Sequence, residues 1–217
     1  MSISASDVKK LRDMTGAGMM DAKKALSEND GDFDKAVKSL REKGLADSKK
    51  RADKEANQGT IGDYIHYQQD RAVSGVLVEL ACETDFVAKS DEFKNVAKQV
   101  AMHIAASKPE FLNIDDIPSD RIDEEKDIIQ KQSENEGKPK DVISKIVEGK
   151  ISSFYKDYVL NEQTFCNPEF YEGQVGTMIE ELSGRLGEKI YIKTFSRIEV
   201  GSWNEQGSTK TFWRILC

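Results

Sequence analysis

Hydrophobic and polar positions change period several times along the chain, and the sharpest change falls within residues 73–107. Val76, Val78, Leu80 and Cys82 alternate with Gly75, Leu77, Glu79 and Ala81, a period of two that predicts a strand with one apolar face. Phe93, Val96, Ala97, Val100, Ala101 and Ile104 then recur at helical spacing, with Ser90 as cap and Asp91 and Glu92 as first-turn acids. Between strand and helix stands Glu83-Thr84-Asp85-Phe86-Val87-Ala88-Lys89, polar at its start yet carrying two large apolar residues where a connection is ordinarily soluble. Two readings of Phe86 stand. An early helix start would place it in the core on the face of Phe93; otherwise it projects from the loop as an exposed wedge. A hydrophobic staple across Ser90 fails, because the staple positions are Lys89 and Lys94.

Upstream, Val8 and Leu11 mark a helix over residues 4–13, closed by Thr15-Gly16-Ala17-Gly18. Ala22, Ala25 and Leu26 mark a second over residues 19–28, and Phe33, Ala36, Val37 and Leu40 carry a third from the Asn29-Asp30-Gly31-Asp32 stop to Gly44. Residues 1–48 thus read as a three-helix module. Met19 and Met20 stand side by side at a helix start, so one can face the core and the other is left for an adaptable contact surface. Gly16-Ala17-Gly18 resembles the opening of a dinucleotide fingerprint, but no strand precedes it and Asp21 replaces the third glycine. Residues 49–58 are charged without an apolar stripe and read as a solvated linker between module and core.

The core spans residues 59–201. Ile61 and Ile65 alternate with Tyr64 and His66, and Gln69-Asp70-Arg71 leads into the strand already described, a β-hairpin with a loop slightly longer than two residues. Ser119 caps a charged helix through Ile122, Ile128 and Ile129 to about Glu134, and Gly137-Lys138-Pro139 turns the chain. Val142, Ile143, Ile146, Val147, Ile151, Phe154, Tyr155 and Val159 then keep helical spacing to Leu160, interrupted by Gly149, which predicts a helical hairpin over about residues 119–160. A last helix over residues 175–186 stops at Gly187, and Ile190, Ile192 and Thr194 against Tyr191 and Lys193 predict a third strand. The expected class is α+β: an N-terminal three-helix module, then a small antiparallel sheet with helices on one face and a helical hairpin.

Composition adds exclusions. With 33% charged and 38% hydrophobic residues, the 217-residue chain has the make-up of soluble globular proteins, and no apolar run reaches the roughly 20 residues of a membrane helix. The N-terminus has no signal-peptide core, and three cysteines at unrelated spacings argue against a disulfide framework and a zinc site, so a cytoplasmic location is expected. A net charge of −7 with one dense basic run, Lys49-Lys50-Arg51, argues against direct nucleic-acid binding. His66 with Cys82 offers a base and a nucleophile, but no orienting group shares a recognisable spacing, and His103 lies one position off its helix stripe, which points to the surface.

Cys82-Glu83-Thr84-Asp85-Phe86-Val87-Ala88-Lys89 resembles the most distinctive motif of bacterial-type translation elongation factor Ts, here a short form. Residues 11–26 resemble that family's other signature, with Ala22 where many members carry Cys, and residues 137–150, 160–165 and 194–201 resemble further segments in the same order. The resemblance implies a ubiquitin-associated type of module and a core of the dimerisation kind. It also implies a guanine-nucleotide exchange factor, not an enzyme, that acts on elongation factor Tu in its GDP-bound and nucleotide-free states. Thr84, Asp85, Phe86 and Val87 would then form the loop that displaces the partner's magnesium ion, with Leu11, Met19 and Met20 as further partner contacts. Catalytic residues, cofactors and a metal site of the chain's own are not implied. Short members are dimers, which implies a homodimer through the core. Residues 202–217 resemble no tail of the family, and the three-helix module alone also fits a general adaptor for peptide or ubiquitin-like partners.

Overall fold

The computed structural model describes residues 3–201; residues 1–2 and 202–217, the atypical tail, lie outside the described residues. Helices α1 (Ala5–Thr15), α2 (Met19–Glu28) and α3 (Phe33–Lys49) precede strands β1 (Gln58–Gln68) and β2 (Arg71–Cys82). There follow α4 (Asp85–Ala88), α5 (Asp91–Ser107), α6 (Ser119–Asn135), α7 (Lys140–Tyr158), α8 (Val175–Leu186) and β3 (Tyr191–Glu199).

The N-terminal helices have the starts and stops their sequence carries. Ser4 Oγ accepts from Asp7 N (3.1 Å) while the Asp7 carboxylate accepts from Ser4 N (3.2 Å), a reciprocal cap on α1. Gly16 closes that helix in the left-handed conformation (φ 69°). Val8, Leu11, Ala22, Ala25, Leu26 and Ala36 form the core of the module. The third helix, however, does not stop at Gly44 but continues to Lys49. Gly44 is a contact and not a cap: α3 lies on α8, and a Cβ built on Gly184 would stand 2.6 Å from the Gly44 Cα. The charged stretch after α3 does not hold module and core apart either. Lys54 Nζ pairs with Glu83 (3.1 Å), and Lys189 Nζ donates to the carbonyls of Ala52 (2.6 Å) and Lys54 (2.8 Å).

The three strands form one antiparallel sheet in the order β1-β2-β3. Gln68 pairs with Arg71, so the hairpin loop is only Gln69-Asp70, tighter than expected, and Gln69 takes the positive φ (56°) that such a turn requires. Val76, Val78 and Leu80 are buried on the inner face beneath α5 and α8. A bulge opposite Glu79 and Leu80 shifts the alternation of β3, so Phe195 packs toward the core and Thr194, expected there, is exposed. The outer face, where Ile61, Ile65, Leu77 and Ile198 stand, carries no helix among the described residues.

Helices α6 and α7 pack against each other as the expected hairpin, with α7 unbroken at Gly149 and Pro118, not Ser119, in the cap position of α6. Phe154, Ile117 and Val159 cluster at its base.

His103 corrects the sequence reading outright: it is fully buried. The segment after α7 covers the flank of α5, stacking Phe165 on the imidazole at 5.2 Å between centroids. Cys166 N–H donates to Nδ1 (3.1 Å), which makes Nε2 the protonated nitrogen, and Nε2–H donates to Gln163 Oε1 (2.9 Å). The Gln163 amide in turn donates to the Asp157 carbonyl (2.7 Å), so a neutral histidine ties α5 to the end of α7. Burial pushes its pKa below the ordinary histidine value, against the raising effect of Gln163.

Candidate partner-binding loop

Thr84 follows the last residues of β2 with an extended backbone (φ −121°, ψ 153°), and its hydroxyl accepts from Val87 N (3.4 Å), which makes it the N-cap of α4. Successive helix residues point about 100° apart, so one turn suffices to separate neighbours. Val87 and Ala88 turn inward and join the cluster of Cys82, Phe93 and Val96, which anchors the turn. Phe86 turns outward and is 83% exposed. Of its two sequence readings, burial in the core is excluded. Asp85 lies beside it, paired with Lys89 Nζ (2.6 Å); that hydrogen bond and the nearby charge hold the carboxyl below the usual carboxylate range.

The loop is braced from the far end of the sequence. One carboxylate oxygen of Glu188 accepts from the backbone N–H of Glu83 (3.1 Å) and of Thr84 (3.0 Å), and the other accepts the Thr84 hydroxyl (2.5 Å). In the opposite direction, Glu83 accepts from Lys189 N (2.6 Å); this bond, ahead of the Lys54 ion pair, lowers the Glu83 pKa. Glu188 was invisible to sequence reasoning, since it lies 104 residues from Thr84 and belongs to no periodic pattern. Cys82 donates its thiol to the Thr84 carbonyl (3.2 Å), and burial, then the charge of Glu188, pushes its pKa up. It cannot work with His66: Cys82 pairs with Gln58 and His66 with Ser74, roughly 26 Å apart at about 3.3 Å per strand residue.

The methionines depart from expectation. Neither faces the core: Met19 is 46% and Met20 76% exposed, because the small Ala22 and Ala25 with Leu26 fill the inner side of α2. Met14, at the last turn of α1 and off the Val8 and Leu11 stripe, adds a third exposed thioether that sequence reading passed over. Leu11 is fully buried in the module, so it presents no surface to a partner and serves to support α1.

The module is held to the core around the glycine contact by a charged clasp from Arg41 and by the stem of Arg185. Arg41 Nε pairs with Glu181, its Nη2 donates to Tyr171 Oη (2.8 Å), and Arg185 pairs with Glu92 (2.7 Å) while its aliphatic stem lies against Gly16. Burial, with the Glu181 charge adding, pushes the Tyr171 phenol up to about 12. Among the described residues no group of three His, Cys, Asp or Glu is placed to hold a metal ion, and no helix is long and apolar enough to cross a membrane.

Comparison with known proteins agrees across nearly the whole chain. The family model described as elongation factor TS matches residues 5–202. The elongation factor Ts of Desulforamulus reducens is 48% identical over 94% of this chain and 92% of its own length. That of Fervidobacterium nodosum is 46% identical over 93% of this chain and all of its own, and that of Thermoanaerobacter sp. 47% identical over 96% of this chain and all of its own. With the strand, one-turn helix and braced Thr-Asp-Phe-Val loop inside the matched region, the chain belongs to the elongation factor Ts family.

Proposed function

We propose that this chain is a guanine-nucleotide exchange factor for elongation factor Tu, and that Phe86 is the wedge by which it loosens the partner's magnesium ion. The observation that carries this reading is the pairing of an exposed Phe86 with a buried Val87 on a capped turn: a large aromatic is presented to solvent from a rigid base. An exchange factor must bind the nucleotide-free GTPase more tightly than the GDP form, and by reciprocity GDP then weakens its grip by the same factor. Magnesium is the vulnerable ligand, since it demands near-octahedral geometry at about 2.1 Å and tolerates little displacement. Asp85 arrives at the same place with its charge intact and acts on the groups that order the metal. The exposed Met14, Met19 and Met20 supply a second, adaptable contact. The chain does no covalent chemistry in this reading and works in the cytoplasm without contacting nucleic acid.

A homodimer through the core sheet accompanies this reading. Ile61, Ile65, Leu77 and Ile198 expose an apolar patch on the outer face, with no helix upon it among the described residues, which a second copy can cover symmetrically. The general adaptor accounts for the module but leaves the exposed Phe86 and its brace without a purpose.

Release of labelled GDP from elongation factor Tu, followed in magnesium with and without this chain, tests the proposal. Acceleration by sub-stoichiometric chain is expected; an unchanged release rate contradicts it.

A further inference from the structure

We infer that Glu188 is the positioning residue of the Phe86 loop. The inference rests on the wedge reading above and adds the residue on which the wedge's aim depends. The Thr84 hydroxyl has one proton, and it is committed to Glu188 Oε1 at 2.5 Å. Its lone pairs are thereby left for Val87 N–H, the bond that starts α4. The other Glu188 oxygen takes the N–H groups of Glu83 and Thr84, which belong neither to the β2 ladder nor to the helix and have no other acceptor among the described residues. One carboxylate therefore fixes three donors in the two residues before Asp85 and Phe86.

The brace is itself anchored. Ser183, buried in α8, donates its hydroxyl to the Glu188 carbonyl (2.5 Å), and Lys189 N–H is held by Glu83 (2.6 Å). Glu188 thus links the loop to α8, the same helix whose Gly184 receives the N-terminal module. Phe86 has almost no contacts of its own to hold it, being exposed, so its direction is inherited from the cap of its turn.

The test is GDP release from elongation factor Tu at saturating chain, measured for Glu188→Ala, Phe86→Ala and the double variant, with melting curves of each. Glu188→Ala is expected to slow release about tenfold, the scale of losing a cap and its supporting acceptor. Glu188→Gln should stay within about threefold of wild type, because its amide oxygen still accepts the two backbone N–H groups. The double variant should be no slower than Phe86→Ala alone, since Glu188 acts only through what it aims. Multiplying effects in the double variant, or a wild-type rate for Glu188→Ala, overturns the inference. If Glu188→Ala does not fold, Glu188→Asp carries the same test by withdrawing the carboxylate from its three donors: about tenfold slower release is expected, and a wild-type rate overturns the inference. Failure of the underlying reading looks different, for then Phe86→Ala itself exchanges at the wild-type rate.

Discussion

Gly44 and Gly184 meet backbone to backbone, and the meeting is asymmetric. A Cβ on Gly184 would stand 2.6 Å from the Gly44 Cα, whereas a Cβ on Gly44 would meet Gly184 Cα at an ordinary 3.9 Å. Gly44→Ala is therefore expected to be neutral or to stabilise by up to about 1 kcal/mol through helix propensity. Gly184→Ala should destabilise by about 1–3 kcal/mol, because a helix backbone has to move. Thermal unfolding reads both; equal effects of the two substitutions contradict the close approach.

The buried His103 makes stability depend on pH in a definite direction. Its folded pKa lies below the ordinary 6.5, so as pH falls through that value the unfolded chain takes up a proton that the folded chain refuses. Its contribution is complete above the unfolded pKa and is lost as pH falls toward the folded one, at up to about 1.4 kcal/mol per pH unit. Gln163, Ser107, Cys166 N–H and the Phe165 ring face the imidazole, with no carboxylate among these contacts to stabilise the charged form. The melting difference between wild type and His103→Gln should narrow from about pH 7.5 to pH 5, and a constant difference contradicts the buried neutral state.

The outer sheet face carries the dimer prediction. Ile198 is 74% exposed and stands across Gly75 from Ile65, with Leu77 next along the face. Sedimentation at tens of micromolar should show a dimer for the wild type and a monomer for Ile198→Asp combined with Leu77→Asp. A monomeric wild type removes the proposal.

Much of this architecture was legible because it is periodic. Spacing alone places Val76, Val78 and Leu80 on β2, and Phe93, Val96, Val100 and Ile104 on α5, on apolar faces, and all are buried. Two of the failures share one cause, which is that tertiary contact overrides a local signal. Gly44 carries the local mark of a helix stop but is a packing site. His103 lies beside an apolar stripe that widens once residues 163–166 cover a second side of α5. The Thr84 loop announced itself through residue types, whereas Glu188 is an ordinary acid until the fold brings it there.

Asp85 and Phe86 should separate in experiment. Asp85→Asn keeps the shape of the turn and removes only the charge paired with Lys89. It is expected to slow exchange less than Phe86→Ala and to lose part of its effect when magnesium is chelated. An effect independent of magnesium contradicts an electrostatic role at the metal.

The wedge itself is tested most directly by Phe86→Ala, with GDP release from elongation factor Tu at sub-saturating chain and the melting temperature of the variant measured on one preparation. Removing a core phenylalanine costs about 3–5 kcal/mol of stability, but Phe86 is exposed, so the melting temperature should hold. Truncating an aromatic anchor in an interface costs about 2–4 kcal/mol, so release should slow by one to three decades. A stable Phe86→Ala protein that releases GDP at the wild-type rate contradicts the account.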